Sequence, residues 1–152
     1  MHEPPGYACP FCRLLGGVET ERNRVDDVVW RGECTTAFVS PKWWPANPGA
    51  VIVIPNTHVE NLYEIEDDLL GAVYATTKRV VLAMKTAYAC EGTSTRQHNE
   101  PGGQQDVWHF HVHVFPRSEG DELYARQAQS RWVAAEERAG YAAQLRATLG
   151  RV

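Results

Sequence analysis

The chain has 152 residues, 43% hydrophobic and 22% charged, with a formal net charge of −4. That length suits one domain with one sizeable core. The acidic balance, with no basic stripe, excludes the electrostatic footprint of a nucleic-acid binder, while leaving a small anion open as a ligand of one local site.

Residues 1–7 carry neither a basic segment nor an apolar one, so they do not read as a signal peptide. The longest apolar run, VIVI at residues 51–54, is strand-sized and far short of a membrane span. The expected location is therefore cytoplasmic, with no membrane partner. Of the four cysteines, Cys34 and Cys90 stand alone, whereas Cys9 and Cys12 form a C-P-F-C pair. In a reducing compartment such a pair is more often metal-binding or redox-active than a structural disulfide.

In chain order, residues 1–8 read as a loose lead-in. Residues 25–30 and 35–39 are β-prone runs separated by Arg31-Gly32-Glu33, a hairpin signal. Residues 40–49 carry Pro41, Pro45 and Pro48 and are predicted to be irregular. Residues 50–55 are a β-branched run, predicted as a buried strand. Residues 66–90 are the clearest helix: Leu69, Leu70, Val73, Tyr74, Thr77, Val80, Val81, Met84 and Tyr88 recur at helical spacing, and Gly92 is its expected stop. A strand over 93–99, a Gly-rich turn over 100–105 and an alternating strand over 107–116 follow. Residues 131–149 read as an amphipathic helix, with Trp132, Ala135, Tyr141, Leu145 and Leu149 available for packing. This order predicts an α+β fold with a mostly antiparallel sheet rather than a doubly wound parallel one.

Half of the six histidines fall within HFHVH, residues 109–113. On a strand, alternate residues share a face, so His109, His111 and His113 are predicted to project together, about 6.5–7 Å apart. Trp108, Phe110, Val112 and Val114 then point into the core. Two readings of this row compete. In one, His109 and His111 bind one catalytic metal; in the other, one histidine is a nucleophile served by its neighbours. C-P-F-C can supply two thiolates, and His58 follows the 51–54 run. With one triad histidine they make a Cys₂His₂ set, which closes a tetrahedral zinc site and leaves no open position for water. Such a zinc is structural.

The chain resembles the histidine triad (HIT) proteins. The motif H-x-H-x-H with apolar residues after it reads HFHVHVFPR at 109–117. The resemblance extends through HNEPGGQQDV (98–107), VIVIPNTHVENLYEI (51–65) and CPFC, so it covers most of residues 9–117. It implies a five-stranded antiparallel sheet with one long central helix, here followed by a C-terminal helix, and a symmetric homodimer. Residues 1–152 are then a single HIT-like domain with its motif-bearing core at 9–117 and a C-terminal extension at 118–152. It also implies that His111 attacks the α-phosphorus of a nucleotide to form a nucleotidyl-histidine intermediate. His113 helps position the phosphate, and Asn99 and Gln105 hydrogen-bond the nucleotide or phosphate. His109 joins Cys9, Cys12 and His58 as a zinc ligand.

The chemistry is consistent with that assignment. A neutral imidazole near pH 7 is a competent nucleophile, and a covalent intermediate splits one hard displacement into two easier ones. Donation from the other ring nitrogen of His111 to a backbone carbonyl would fix its tautomer.

The chain departs from the family pattern around the substrate. Lys42 stands where many members carry a ribose-binding Asp, in a loop with adjacent Trp43 and Trp44, read mainly as packing residues. Gln104 stands where Gly is usual, and Asp106 where Ser or Thr is usual; an anion there repels phosphate unless it is protonated or turns away. Lys42 and Asp106 are therefore expected substrate- or phosphate-facing positions. The third histidine, His113, favours a hydrolase over the transferases and phosphorylases of the superfamily, which tend to have Gln there. The expected function is a hydrolase of nucleoside phosphoramidates, dinucleoside polyphosphates or related nucleotides. The rivals are a nucleotidyltransferase or phosphorylase, a nucleotide-binding module with little turnover, and a metalloenzyme.

Overall fold

Cys9 caps the first helix, α1 (Pro10–Leu15), by accepting the Cys12 amide on its Sγ at 3.4 Å. Pro10 sits in the first turn, where its fixed φ suits the helix and no intrahelical N–H is lost. The structure, a computed structural model, describes residues 1–150. The sequence reading has no helix here, because six residues are too few for a periodicity signal.

The β-prone run at 25–30 divides. Val25–Asp27 forms a 3₁₀ turn, and only β1 (Val28–Arg31) is extended. β2 (Thr35–Val39) returns antiparallel, with Arg31 opposite Thr36. The segment expected to be irregular contains a two-residue strand, β3 (Lys42–Trp43). β4 (Val51–Pro55) pairs with β2, and both are buried throughout. α2 (Asp67–Ala87) opens with Asp67 and Asp68, which suit the positive end of the helix dipole. It stops short of the expected Cys90. Lys85 Nζ donates to the carbonyls of Cys90 (2.9 Å) and Glu91 (2.7 Å), and the chain turns at Ala89 with a left-handed φ of 52°. Gly92 does not stop the helix; it opens β5 (Gly92–Gln97). Tyr74, expected on the packed face, is exposed.

β6 (Val112–Arg117) begins only after His111, since residues 107–109 bend. Trp108 is half-buried beside the His2 ring rather than in the core. β7 (Arg131–Trp132) pairs with β3, Lys42 opposite Trp132, so α3 (Ala135–Leu149) starts four residues later than expected. Pro41 does not prevent this pairing, because its carbonyl accepts from the Val133 amide at 2.9 Å and no proline donor is needed. Trp132, expected to pack, stays half-exposed.

The main sheet runs β1-β2-β4-β6-β5, every neighbouring pair antiparallel. Strand alternation sorts its side chains into two cores. Ala37, Val39, Val51, Val53, Val112 and Val114 face α2 and α3, with Val80 and Met84 of α2 among them. Phe38, Ile52 and Ile54 face the other way, onto Phe11 and Leu14 of α1. α1 is short and covers only part of this second face. The rest of it forms the floor of a cavity. On the first face, Arg138 of α3 is buried against Asp27: Nε and Nη2 donate to the two carboxylate oxygens at 2.8 Å each, and Nη1 donates to the Val133 carbonyl.

Candidate functional site

The three histidines do share the α1 side of the sheet, but they do not form one row. His109 lies in the bend before β6 and turns its ring toward α1. Its Nε2 meets the Pro55 carbonyl at 3.0 Å. A carbonyl only accepts, so Nε2 carries the proton and Nδ1 presents a lone pair. That lone pair faces Cys9 Sγ at 3.4 Å and Cys12 Sγ at 3.6 Å. His58, on the loop after β4, places Nδ1 3.2 Å from Cys12 Sγ and donates from Nε2 to Glu3 at 2.6 Å.

The donor atoms of Cys9, Cys12, His58 and His109 all lie within 4.8 Å of one another. A tetrahedral centre with sulfur and nitrogen ligands needs edges of about 3.5 Å. The four residues therefore fit a metal ion, and both imidazoles are already oriented by outer hydrogen bonds, as metal-bound histidines are. Burial lowers the His109 pKa to about 4, keeping the ring neutral. Burial, reinforced by Cys9, pushes the Cys12 thiol up to about 12; a bound cation has the opposite effect on a thiol.

His111 belongs to a different group. Its Nδ1 lies 2.7 Å from the His109 carbonyl, which fixes the proton on Nδ1. Nε2 is then a free lone pair. It is buried and has no hydrogen-bond partner among the described residues. Phe11 packs edge-on against this ring at 5.4 Å, and His113 lies 4.9 Å away, centre to centre. His113 is held neutral, with its pKa pushed down to about 3 by burial and by His111. His109 and His111 thus do not chelate one ion as an H-x-H pair.

Asp106 brings Oδ1 to 3.7 Å from His111 Nε2, too long for a hydrogen bond. When His111 is protonated at Nε2, this contact lowers the Asp106 pKa to about 2. Its side chain is largely exposed and free to rotate.

His111, His113, Asp106 and Lys42 line one cavity of about 740 Å³. Asn99 and Gln105 do not. Asn99 exchanges hydrogen bonds with Gln97 and accepts the Leu62 amide at 2.8 Å. Gln105 is buried: it accepts from the Glu100 amide at 2.9 Å and donates to the carbonyls of Glu60 and Val107 at 2.6 and 2.9 Å. Gln105 thereby ties together the turn that precedes Asp106, and Asn99 ties the end of β5 to the loop at Leu62. Gln104 borders the cavity in a left-handed conformation, φ 65°, a backbone state that favours glycine. Trp43 is buried against Tyr141, as expected of a packing residue. Trp44 packs on Phe115 at 5.0 Å and also lines the cavity.

Arg22 and Arg96 also line this cavity without having been singled out from the sequence, and Trp132, expected to pack, lines it with them. They come from the loop before β1, from β5 and from β7, and no local motif joins them.

The HIT domain family model matches residues 21–120. The chain is 29% identical over 109 residues to Protein hit of Bacillus subtilis (strain 168), spanning 72% of this chain and 70% of that protein. It is 28% identical over 94 residues to the bis(5'-nucleosyl)-tetraphosphatase [asymmetrical] of Schizosaccharomyces pombe, spanning 62% of this chain and 50% of that protein. A crystal structure of a HIT-like protein involved in cell-cycle regulation from Bartonella henselae matches with a TM-score of 0.77 at 27% identity, over 93% of this chain and 96% of that one. The chain belongs to the HIT domain family.

Proposed function

We propose that this chain hydrolyses nucleotides at the α-phosphorus, with His111 as nucleophile. The observation that carries this reading is the fixed tautomer: Nδ1–H is committed to the His109 carbonyl, and the buried Nε2 lone pair opens on the cavity without a partner. As Nε2 bonds to phosphorus, the bond to the leaving group breaks and its electron pair departs with that group. The Nδ1 proton stays, and the His109 carbonyl stabilises the imidazolium so formed. Water then attacks phosphorus, the P–N pair returns to Nε2, and the nucleoside monophosphate leaves with a proton released to solvent. His113, neutral, faces the same space and orients the phosphoryl oxygens. Asp106 rotates outward to admit them. The named activity of the fission-yeast relative, a nucleosyl tetraphosphatase, supports this class of substrate.

Cys9, Cys12, His58 and His109 hold a zinc ion in this reading. Four protein ligands leave it no open position, so when bound it ties α1 to the sheet and supplies no reacting group. The family resemblance adds a homodimer as the working assembly and a cytoplasmic setting, testable by sedimentation and by fractionation.

Rapid mixing with a labelled nucleotide, quenched in alkali where a P–N bond survives, tests the mechanism. A nucleotidyl adduct on wild type, absent from His111→Ala, is expected; equal turnover by the two proteins would falsify the nucleophile assignment. A second reading, a nucleotide-binding module with little turnover, is favoured by the Asp106 carboxylate beside Nε2. Tight binding of a nucleoside monophosphate without turnover across a broad nucleotide panel would select it.

A further inference from the structure

Two electron-pair donors face each other at the edge of the cavity with no proton donor between them. Nδ1 of His111 is committed to the His109 carbonyl, so Nε2 can only accept. It is buried and has no hydrogen-bond partner among the described residues. Asp106 Oδ1, 3.7 Å away, is an acceptor as well. A buried acceptor without a donor is costly, and a carboxylate oxygen set opposite it adds repulsion. An electron-pair acceptor held by both relieves both.

His113 supplies a third donor. The donor atoms of Asp106, His111 and His113 all lie within 4.8 Å of one another, and none of the three belongs to the cluster of Cys9, Cys12, His58 and His109. The His113 ring is held by stacking on Phe115 at 5.9 Å and lies edge-on to His111 at 4.9 Å. Burial keeps it neutral, with a lone pair to offer. Ligand atoms bonded at about 2.1 Å to one ion stand roughly 3–3.5 Å apart. The largely exposed side chain of Asp106 can close that gap by a small rotation.

We propose that His111, His113 and Asp106 form a second metal site, open to solvent, for a divalent transition ion such as cobalt, nickel or zinc. Two imidazoles and one carboxylate leave coordination positions for water. The class of ion follows from the surroundings. Arg22, Lys42 and Arg96 line the same cavity and oppose a cation held by charge alone. Magnesium and calcium are held in that way by oxygen ligands, whereas imidazole nitrogen binds the later transition ions strongly. Asp106 completes the set, because the Ser or Thr usual at this position supplies no carboxylate. With three ligands, one of them exposed, this site releases its ion on desalting, while the four-ligand cluster keeps its own. An ion on Nε2 takes the lone pair that bonds to phosphorus, so the metal-bound and nucleotidyl forms of His111 exclude each other. That consequence rests on the reading of His111 as nucleophile; the site itself does not.

The full chain, loaded with one equivalent of zinc and desalted, is titrated with cobalt(II) and followed by visible absorption and calorimetry. Saturable one-to-one binding is expected, with d–d bands and without the thiolate-to-cobalt charge-transfer band of a cysteine site. Asp106→Ser and His113→Gln should each weaken it about tenfold or more, since each removes a direct ligand. Asp106→Ser changes an exposed side chain and keeps the test readable if His113→Gln fails to fold. Magnesium at the same concentration should not compete. Absence of saturable binding, binding unchanged in Asp106→Ser, or a charge-transfer band that grows with the binding signal overturns the site. These readings need no turnover, so they stand or fall apart from the hydrolase reading. In a nucleotide assay, cobalt(II) should inhibit wild type competitively and inhibit Asp106→Ser about tenfold more weakly. Equal inhibition of the two proteins overturns the blocking of Nε2 even where cobalt binds.

Discussion

His111 donates from Nδ1 to the carbonyl of His109 at 2.7 Å, while the ring of His109 faces Cys9 and Cys12. One residue therefore touches both sites: its backbone sets the tautomer of His111, and its side chain enters the four-donor cluster. Replacing His111 by Ala is expected to lower nucleotide turnover by roughly 10³-fold or more, the scale seen when a nucleophile that acts with its neighbours is removed. The folded state should be retained by circular dichroism, so the loss reads as chemistry. His111→Ala activity within tenfold of wild type would contradict the assignment.

The Cys₂His₂ cluster predicts one equivalent of zinc per chain in protein purified without chelator, measured by elemental analysis. Cys9→Ser should lose most of it and lower Tm, because four ligands from α1, the 58 loop and the 109 bend are then no longer tied together. Turnover of the remaining folded fraction should not rise with added metal. Activity rising in proportion to added divalent cation would point instead to a catalytic metal.

His113 predicts a pH dependence of stability. Its pKa falls from 6.5 to about 3 on folding, because burial and His111 disfavour the charged ring. The unfolded chain therefore binds the proton more readily in that window. This contribution to stability is fully present above pH 6.5 and is lost as the pH falls toward about 3. One proton changes stability by about 1.4 kcal/mol per pH unit. In denaturant titrations, His113→Gln should flatten the acid limb by up to that slope between pH 6 and 4, relative to wild type. Parallel limbs would show that His113 titrates normally.

The buried pair of Arg138 and Asp27 joins α3 to the turn before β1. Arg138→Met leaves a buried carboxylate without its partner and should cost about 3–5 kcal/mol in urea unfolding. Asp27→Asn in the Arg138→Met background should recover part of that loss, since no charge then remains buried. A single substitution costing under about 1 kcal/mol would mean the pair is solvated in solution.

Much of the fold is legible in local pattern. The β-branched run that becomes β4, the long periodic helix and the antiparallel order all follow from spacing that one segment carries by itself. α1 and β3 are not legible: one is too short for a period, and the other exists only because β7 lies beside it. The early end of α2 comes from Lys85 reaching the carbonyls beyond the helix, a contact that a glycine rule does not anticipate.

What the sequence by itself determined was the alternation of His109, His111 and His113 against an apolar face, the C-P-F-C pair and the resemblance these carry. Tertiary structure alone decided how the donors divide. His109 turns to the thiols because Pro55 holds its Nε2, whereas His111 opens on the cavity because the His109 carbonyl holds its Nδ1. It also tied Asn99 to Leu62 and Gln105 to Glu60, and it gathered Arg22, Lys42, Arg96 and Trp132 around one space. Such groupings have no local signal, because residues distant along the chain meet only where the sheet order and the β3–β7 pairing bring them together.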